Sequence, residues 1–486
     1  MKIFLALISL IALLGAPTTS AAPRPNFIFI ITDDISPDDL GLYGSTFVPT
    51  PNLDRLARRA LVFDRAYNVI SSCSPSRCAI ITGRYPHNTG APELHTTLPP
   101  DQKTFVQALR DAGYHTVLAG KNHMGKAADL GFAVSSGGQP SGAENWVRHL
   151  RERPRDKPFF AWFASHDAHH PFTLTKDAPT YDPKQVPVPP MLFDGPGTRR
   201  ELAEYCHEVS RTDHFAGEVL KEIEAQGIAD ETYFIYCSDN GRPFPRCKTY
   251  LYDSGIRTPL LIAGPGVKAG RTAALVSSID YAATLLELAG VEPLPTVQGR
   301  SFVPILRDPS ATVREVVFAE RNWHVFQVHQ RMVRFGDWLY TWNAWPERHN
   351  VSGESAWTNR FAAAGELWAA AQAGRLRPEQ ALLTQAPQPA EMLFNVRADP
   401  HQFRNLAPAT GHADVLRQAR ALLARWQADT GDSVPANPTR DRGGLHDPTD
   451  RGVQRGDFPG ADCNATRINH PGPVKLSQAT PPPPAP

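Results

Sequence analysis

The sequence predicts an α/β protein: a mostly parallel sheet flanked by helices, with a smaller C-terminal α+β domain that contains an antiparallel sheet. Two observations lead there. From Asn26 to Leu306, short β-branched or aromatic runs alternate with amphipathic helical patterns, as strands of a parallel sheet covered by helices do. From about Ala311 the pattern changes to closely spaced strand-like pieces, EVVFAER, RMVRFGDWLYTW and EMLFNV, and then a helix from about Ala413 to Ala428. A chain of 486 residues is long enough to bury a large core and carry a second domain.

Taken in order, Lys2 precedes an apolar run from Ile3 to Leu14 and small residues through Ala21 and Ala22. That is the layout of a cleaved secretory signal, expected over residues 1–22. The chain is therefore expected to be exported: periplasmic or extracellular in a bacterium, lysosomal or secreted in a eukaryote. The run is well short of the roughly 20 apolar residues that span a bilayer, and no later segment is apolar enough, so no stable membrane insertion is expected. A catalytic domain is expected over 23–310. Its buried strands are Asn26 to Ile31, His115 to Ala119, Phe159 to Ala164 and Thr232 to Cys237. The first helix has Thr50 as N-cap, Pro51 at its first position and Leu53, Leu56, Ala57 and Ala60 on one face. Others are expected from about Glu201 to Gln226, stopped by Gly227, and from about Ser278 to Ala289, stopped by Gly290. A C-terminal subdomain follows over 311–430. Residues 431–486 are rich in Pro, Gly and polar residues and end in PPPPAP, a composition expected to stay disordered.

The formal net charge is +1, so no global field points to nucleic acid or an anionic membrane, and an anionic substrate must be held by local charges. The same balance offers a polyanion no long-range steering and favours action on the ends of short fragments. Six cysteines in so long an exported chain do not make a disulfide framework. Sequons stand at Asn350 and Asn464, relevant if the source glycosylates.

Four strands end in reactive residues: Asp33 and Asp34; Lys121 and His123; His166, Asp167, His169 and His170; Asp239 and Asn240. In an open parallel sheet the ligand crevice lies beyond the carboxyl ends of the strands, so these groups should converge. Asp33, Asp34, Asp239 and Asn240 are oxygen donors that select a hard cation, Ca²⁺ or Mg²⁺, over zinc; a turn pair is the plainer reading of Asp33 and Asp34 taken alone. The segment SSCSPSRCAIITG reads as a loop entering a short helix that stops at Gly83, which puts Cys73 at an anion-favouring helix N-terminus. From the residues alone, Cys73 is either a low-pKa thiolate beside Arg77 or a buried structural cysteine.

CSPSR followed by AIITGR resembles the C-x-P-S-R motif of the sulfatases, in which the cysteine is converted to formylglycine before folding. ITDD near the N-terminus, GKNH at Gly120 to His123, SDNG at Ser238 to Gly241 and LFNVRADPHQFRNLA in the second domain are similar to the same family's pattern. The resemblance spans residues of roughly 25 to 430 and implies the fold of the alkaline phosphatase superfamily. Within the family, SSCSPSR, ELH at Glu93 to His95, HDAH at His166 to His169 and SDNGRPFPRCKTYLY resemble the N-sulfoglucosamine sulfohydrolases, with Ala168 and Cys78 as departures.

The resemblance implies a role for each matching residue. Formylglycine at 73, hydrated to a geminal diol, attacks sulfur, and its second hydroxyl lets the sulfated intermediate collapse to the aldehyde. Asp33, Asp34, Asp239, Asn240 and residue 73 surround the cation. Arg77 reaches diol and carboxylates, Lys121 and Lys248 bind sulfate oxygens, His123 is a base and His169 the acid for the leaving group. His166 and His170 stand beside His169, and the choice rests on the HDAH match; the plainer readings of the cluster are a second metal site or satisfied loop histidines. Asn88, His95, Glu320 and His324 are expected around the sugar pocket. The implied reaction removes the N-sulfate of glucosamine in heparan-type fragments. The alternatives are an O-sulfatase acting on glucosamine-6-sulfate or an aryl sulfate, a phosphoester or phosphonate hydrolase, and a non-catalytic glycan-binding protein. The implied partners are a sulfated sugar or glycosaminoglycan fragment and, during maturation, the formylglycine-generating enzyme.

Overall fold

The computed structural model describes residues 24–444, 458–461 and 464–479. The expected signal segment and the terminal PPPPAP lie outside them. The main sheet has eight strands: β1 Asn26–Thr32, β2 Leu61–Phe63, β3 His115–Gly120, β4 Val134–Ser136, β5 Phe159–Ala164, β6 Thr232–Ser238, β7 Leu260–Ala263 and β8 Gly270–Thr272. Their spatial order is β4-β3-β5-β1-β6-β7-β2-β8, with β7 antiparallel to both of its neighbours. The helices that matter here are α1 Pro51–Ala57, α2 Cys73–Thr82, α3 Pro196–Ala225, α4 Asp280–Leu288 and α5 Ala413–Thr430.

Strand β1 shows why the sheet is buried on both faces. Ile28 and Ile30 point into a core shared with Leu53 and Leu56 of α1 and with Leu202, Val209 and Leu220 of α3. Phe27, Phe29 and Ile31 point the other way, onto Tyr281, Leu285 and Leu286 of α4. A period-2 strand between two helical layers must be apolar at every position. The four strands expected from sequence appear within one residue of their ends for this reason.

The second sheet is antiparallel, in the order β9 Val316–Arg321, β10 Gln330–Phe335, β11 Trp338–Asn343 and β12 Glu391–Asn395. Helix α5 covers one face, with Trp426 stacked on Phe318 at 5.2 Å between ring centres. Edge strand β9 is stitched to the loop that precedes Cys73, the Glu320 N–H donating to the Val69 carbonyl at 2.7 Å. The second sheet thereby helps position the loop that leads into Cys73.

Two expectations are corrected, for the segment after 431 and for Asn350. Residues after 431 are not disordered throughout. Arg84 donates to the carbonyls of Thr466 at 2.8 Å and Ile468 at 3.0 Å and to Asn469 at 2.7 Å, and Thr439 Oγ1 donates to Glu93 at 2.6 Å. This strap lacks a core of its own and is ordered by docking its backbone on buried donors of the main body. Asn350 is buried and accepts a hydrogen bond from Arg321, so its amide is closed to glycosylation. Cys73, Cys78, Cys206, Cys237 and Cys247 are all buried and free. No helix among the described residues is long and apolar enough to cross a membrane.

Candidate active site

Because β3, β5, β1 and β6 run parallel, their carboxyl ends share one edge, and the groups that follow them meet there. The backbone fixes the junctions: the Asp33 N–H donates to the Asp167 carbonyl at 2.8 Å, the Ala168 N–H to the Asp33 carbonyl at 2.6 Å, and the Asp239 N–H to the Thr32 carbonyl at 3.1 Å. Asp34 takes a left-handed conformation, φ 59°, which an aspartate tolerates better than most residues. Helix α2 opens at Cys73 with Ser72 as its N-cap residue and closes at Gly83, φ 67°, where a Cβ would sit 2.9 Å from that of Ala282.

Asp33, Asp34, Cys73 and Asp239 are fully buried, and one ligand atom of each lies within 4.8 Å of the others. Cys73 Sγ donates to Asp33 Oδ1 at 3.4 Å. Three cations face the carboxylates: Lys121 pairs with Asp33, Lys248 Nζ reaches Asp34 Oδ2 at 2.7 Å, and Arg77 Nε reaches Asp239 Oδ2 at 2.8 Å. Asn240 donates its amide to Asp34, while its Oδ1 is buried with no donor. An orphaned amide oxygen beside three carboxylates is a donor set that fits a hard divalent cation. Burial, and then the charge of Asp33, push the Cys73 thiol well above its ordinary range despite Lys121 and Lys248. The low-pKa thiolate reading of Cys73 is therefore corrected: burial and the neighbouring Asp33 disfavour the thiolate more than the nearby cations favour it.

Over Cys73 opens a cavity of about 360 Å³ lined by His95, His123, His169, His170, Lys248 and His324. His123 Nε2 and His95 Nδ1 share a hydrogen bond of 2.8 Å. Burial, with Lys121, His95 and Arg77 alongside, takes the His123 pKa down to about 2. His169 Nδ1 donates to the His170 carbonyl at 2.5 Å, which leaves Nε2 as its proton-exchanging atom. Burial and Lys248 hold His169 far below the usual imidazole range. His170 packs between Phe172 at 4.0 Å and Phe361 at 4.9 Å, and its Nε2 has no partner. His324 is fixed by Ser72, Nδ1 to Oγ 2.8 Å.

Other residues expected at the site do different work. His166 is not on the cavity wall. Asp167 is held by Arg211 through bonds of 2.9 and 2.7 Å and by Ser141 at 2.7 Å, and so braces the loop instead of joining the carboxylate cluster. The expectation for Asn88 is corrected: its amide bonds the carbonyls of Thr430 at 2.9 Å and Ala465 at 2.7 Å and accepts from Gln298 at 2.9 Å, which locks the strap in place. Glu320 is corrected likewise. It is buried at a junction, with Oε1 2.6 Å from His87 Nδ1 and Oε2 accepting from Asn322 at 2.9 Å. Arg331 beside it pairs with Asp432 through two bonds of 2.8 and 2.7 Å. Sequence reasoning missed Glu354, Trp357, Arg360 and Arg442, which complete the cavity wall. None follows a strand of the main sheet, and Arg442 falls in the segment that composition had set aside.

The model of the sulfatase family matches residues 25–133 and 142–291, more than half of the chain. The chain belongs to the sulfatase family. As a sulfatase it is a sulfuric ester hydrolase on the alkaline-phosphatase-like fold. This sulfatase is 28% identical over 469 residues to the N-sulphoglucosamine sulphohydrolase of Homo sapiens, across 85% of this chain and 91% of that protein. It is 27% identical over 466 residues to an ulvan-active sulfatase of Formosa agariphila, across 85% of this chain and 76% of the relative. Among solved structures it resembles one described as a complex with its substrate D-glucosamine-2-N,6-O-disulfate, with a TM-score of 0.66 and 20% identity over 83% of this chain and 98% of the other. That likeness concerns the fold.

Proposed function

We propose that this sulfatase releases sulfate from the N-position of a terminal glucosamine in heparan-type fragments, using residue 73 as formylglycine and a divalent cation, calcium or magnesium. The observation that carries the reading is the meeting of Cys73, Asp33, Asp34 and Asp239 within 4.8 Å beneath a cavity edged by histidines and Lys248. The choice of an N-sulfated sugar is supported by a match that covers 91% of N-sulphoglucosamine sulphohydrolase, against 76% of the ulvan-active relative.

Asp33, Asp34, Asp239 and Asn240 would hold the cation, whose chemistry is Lewis-acid polarisation of the attacking and sulfate oxygens. Oxidised residue 73 supplies a hydrated aldehyde, one hydroxyl to attack sulfur and one to let sulfate leave. Arg77 keeps Asp239 oriented and its own charge next to the nucleophile. Lys121 and Lys248 stand ready to take sulfate oxygens and offset the charge that grows on them. His123, kept neutral by burial and then by Lys121, His95 and Arg77, accepts the proton of the attacking hydroxyl. His169 gives a proton to the departing nitrogen. An arriving sulfate offsets Lys248 and Lys121, the cations that depress His169, and so raises its proton affinity when the proton is needed.

Mass spectrometry of the peptide spanning Cys73, alongside sulfate release from N-sulfoglucosamine and glucosamine-6-sulfate, tests this. Formylglycine with release from the N-sulfated sugar is the expected result. Release from O-sulfated sugars only would move the chain to the second reading, an O-sulfatase. Unmodified cysteine in active protein would overturn the mechanism. The same protein is expected to carry no residues 1–22 when it is taken from its source, which N-terminal sequencing reads.

A further inference from the structure

Glu354 is the single carboxylate among the described residues that line the cavity over Cys73. It is 7% exposed, and its Oε2 is buried with no hydrogen-bond donor. A buried carboxylate oxygen without a donor is costly, and the side chain has little freedom to move toward water. It sits on the helical turn Gly353–Ala356. That turn is pinned by its neighbour Ser355, whose hydroxyl meets the Tyr250 hydroxyl at 2.9 Å and whose carbonyl accepts from Trp368 Nε1 at 2.7 Å. Arg321 donates to the Val351 carbonyl at 2.7 Å just ahead of it. The turn that carries the carboxylate is thus fixed before any ligand arrives.

The cavity has an uneven distribution of charge. Lys248, Arg360 and Arg442 on its lining, with the histidines, draw an anion, and Glu354 adds the one negative group among the described residues, whose field reaches Lys248. A sulfate carries no hydrogen to donate and is repelled by a carboxylate. A ring hydroxyl carries one and is not. Trp357, on the same wall, adds the flat apolar surface on which the C–H face of a sugar rests.

We propose that Glu354 is a specificity-determining residue: its carboxylate accepts the hydrogen of a free hydroxyl on the sugar that bears the scissile sulfate, and rejects a second sulfate at that position. The proposal rests on the reading that the substrate is a sulfated sugar, and it holds for an N- or an O-sulfated one.

The test compares kcat/KM of wild type, Glu354→Gln and Glu354→Ala on N-sulfoglucosamine, its singly deoxygenated analogues and 4-nitrophenyl sulfate, which has no ring hydroxyl. Loss of a hydrogen bond to a charged group predicts that the sugar-to-aryl ratio of kcat/KM falls about 10- to 100-fold in the Ala variant, chiefly through KM. Gln, which keeps an acceptor oxygen, is expected to recover part of it. One deoxy analogue should show the same loss in wild type and none further in Glu354→Ala. An unchanged ratio in both variants, or deoxy effects that simply add to those of the variants, would overturn the proposal. Wild-type protein that cleaves the aryl sulfate and no sulfated sugar would sink the sugar-sulfatase reading itself, and that outcome is visible before any variant is made.

Discussion

Arg77 Nε donates to Asp239 Oδ2 at 2.8 Å, and neither side chain is exposed to water. The pair joins the helix that begins at Cys73 to the end of β6, so one contact aligns that helix with the carboxylate cluster. Removing one member of a buried pair strands the other, at about 3–5 kcal/mol. Arg77→Ala is therefore expected to lower the unfolding midpoint sharply in chelator and less in calcium, where a bound cation offsets Asp239. Thermal unfolding with and without calcium measures this, and an equal loss in both would count against a cation beside Asp239.

Cation removal should have its own signature. Chelation is expected to abolish sulfate release and to lower the unfolding midpoint, both restored by calcium or magnesium. Asn240→Ala removes the orphaned oxygen and is expected to reduce metal content per chain, measured by elemental mass spectrometry. Full activity after exhaustive chelation would exclude a cation role for the cluster.

The role given to His169 depends on the leaving group. His169→Ala is expected to cost on the order of 10²- to 10⁴-fold in kcat on a sulfamate, whose amine must be protonated, and far less on 4-nitrophenyl sulfate. Steady-state kinetics on the two substrates read the difference. A similar loss on both would assign the acid elsewhere, with His170 the first alternative on the cavity wall.

Glu93 makes stability pH-dependent. Burial, partly offset by the Thr439 hydroxyl, holds its carboxyl up at about 7 against an ordinary 4.5. Between those values the unfolded chain has lost the proton and the folded chain keeps it, so stability falls as pH rises, by on the order of 3 kcal/mol once the pH passes the folded value. Glu93→Gln removes this slope. Its unfolding midpoint relative to wild type is expected to climb from about pH 5 to pH 8, and a constant difference would contradict the raised pKa.

The strap can be cut. A chain ending at residue 463 leaves Arg84 and the Asn88 amide without acceptors that lie at Ala465, Thr466 and Ile468. Each stranded buried donor costs about 1–3 kcal/mol, so the truncated protein is expected to unfold several degrees lower. An unshifted midpoint would mean that the strap rests on the body without stabilising it.

Local patterns in the chain carried much of the fold. The runs at Asn26, His115, Phe159 and Thr232 are apolar at both parities, which only a sheet covered on two sides requires, and helix α3 ends at Ala225 just before Gly227 as expected, while its start at Pro196 lies ahead of the expected Glu201. The carboxylate cluster was legible as well, because parallel strands deliver their carboxyl ends to one edge whatever the loops do. Asn88 and Glu320 were misplaced because polarity in a loop does not say which partner it meets. Asn88 is taken up by the end of α5 and by the strap, and Glu320, on strand β9, by His87, each at a sequence separation of more than 200 residues.

By itself, the sequence determined the sheet, the helix that starts at Cys73 and the meeting of Asp33, Asp34, Asp239 and Asn240, since hydrophobic period and strand direction are local properties. Only the tertiary structure decided that His169 and His170 reach the cavity while His166 does not, that Glu354 and Trp357 close its wall, and that residues 464–479 dock as a strap. Those outcomes depend on which distant surfaces come within hydrogen-bonding distance, and that distance is fixed by packing across the whole chain.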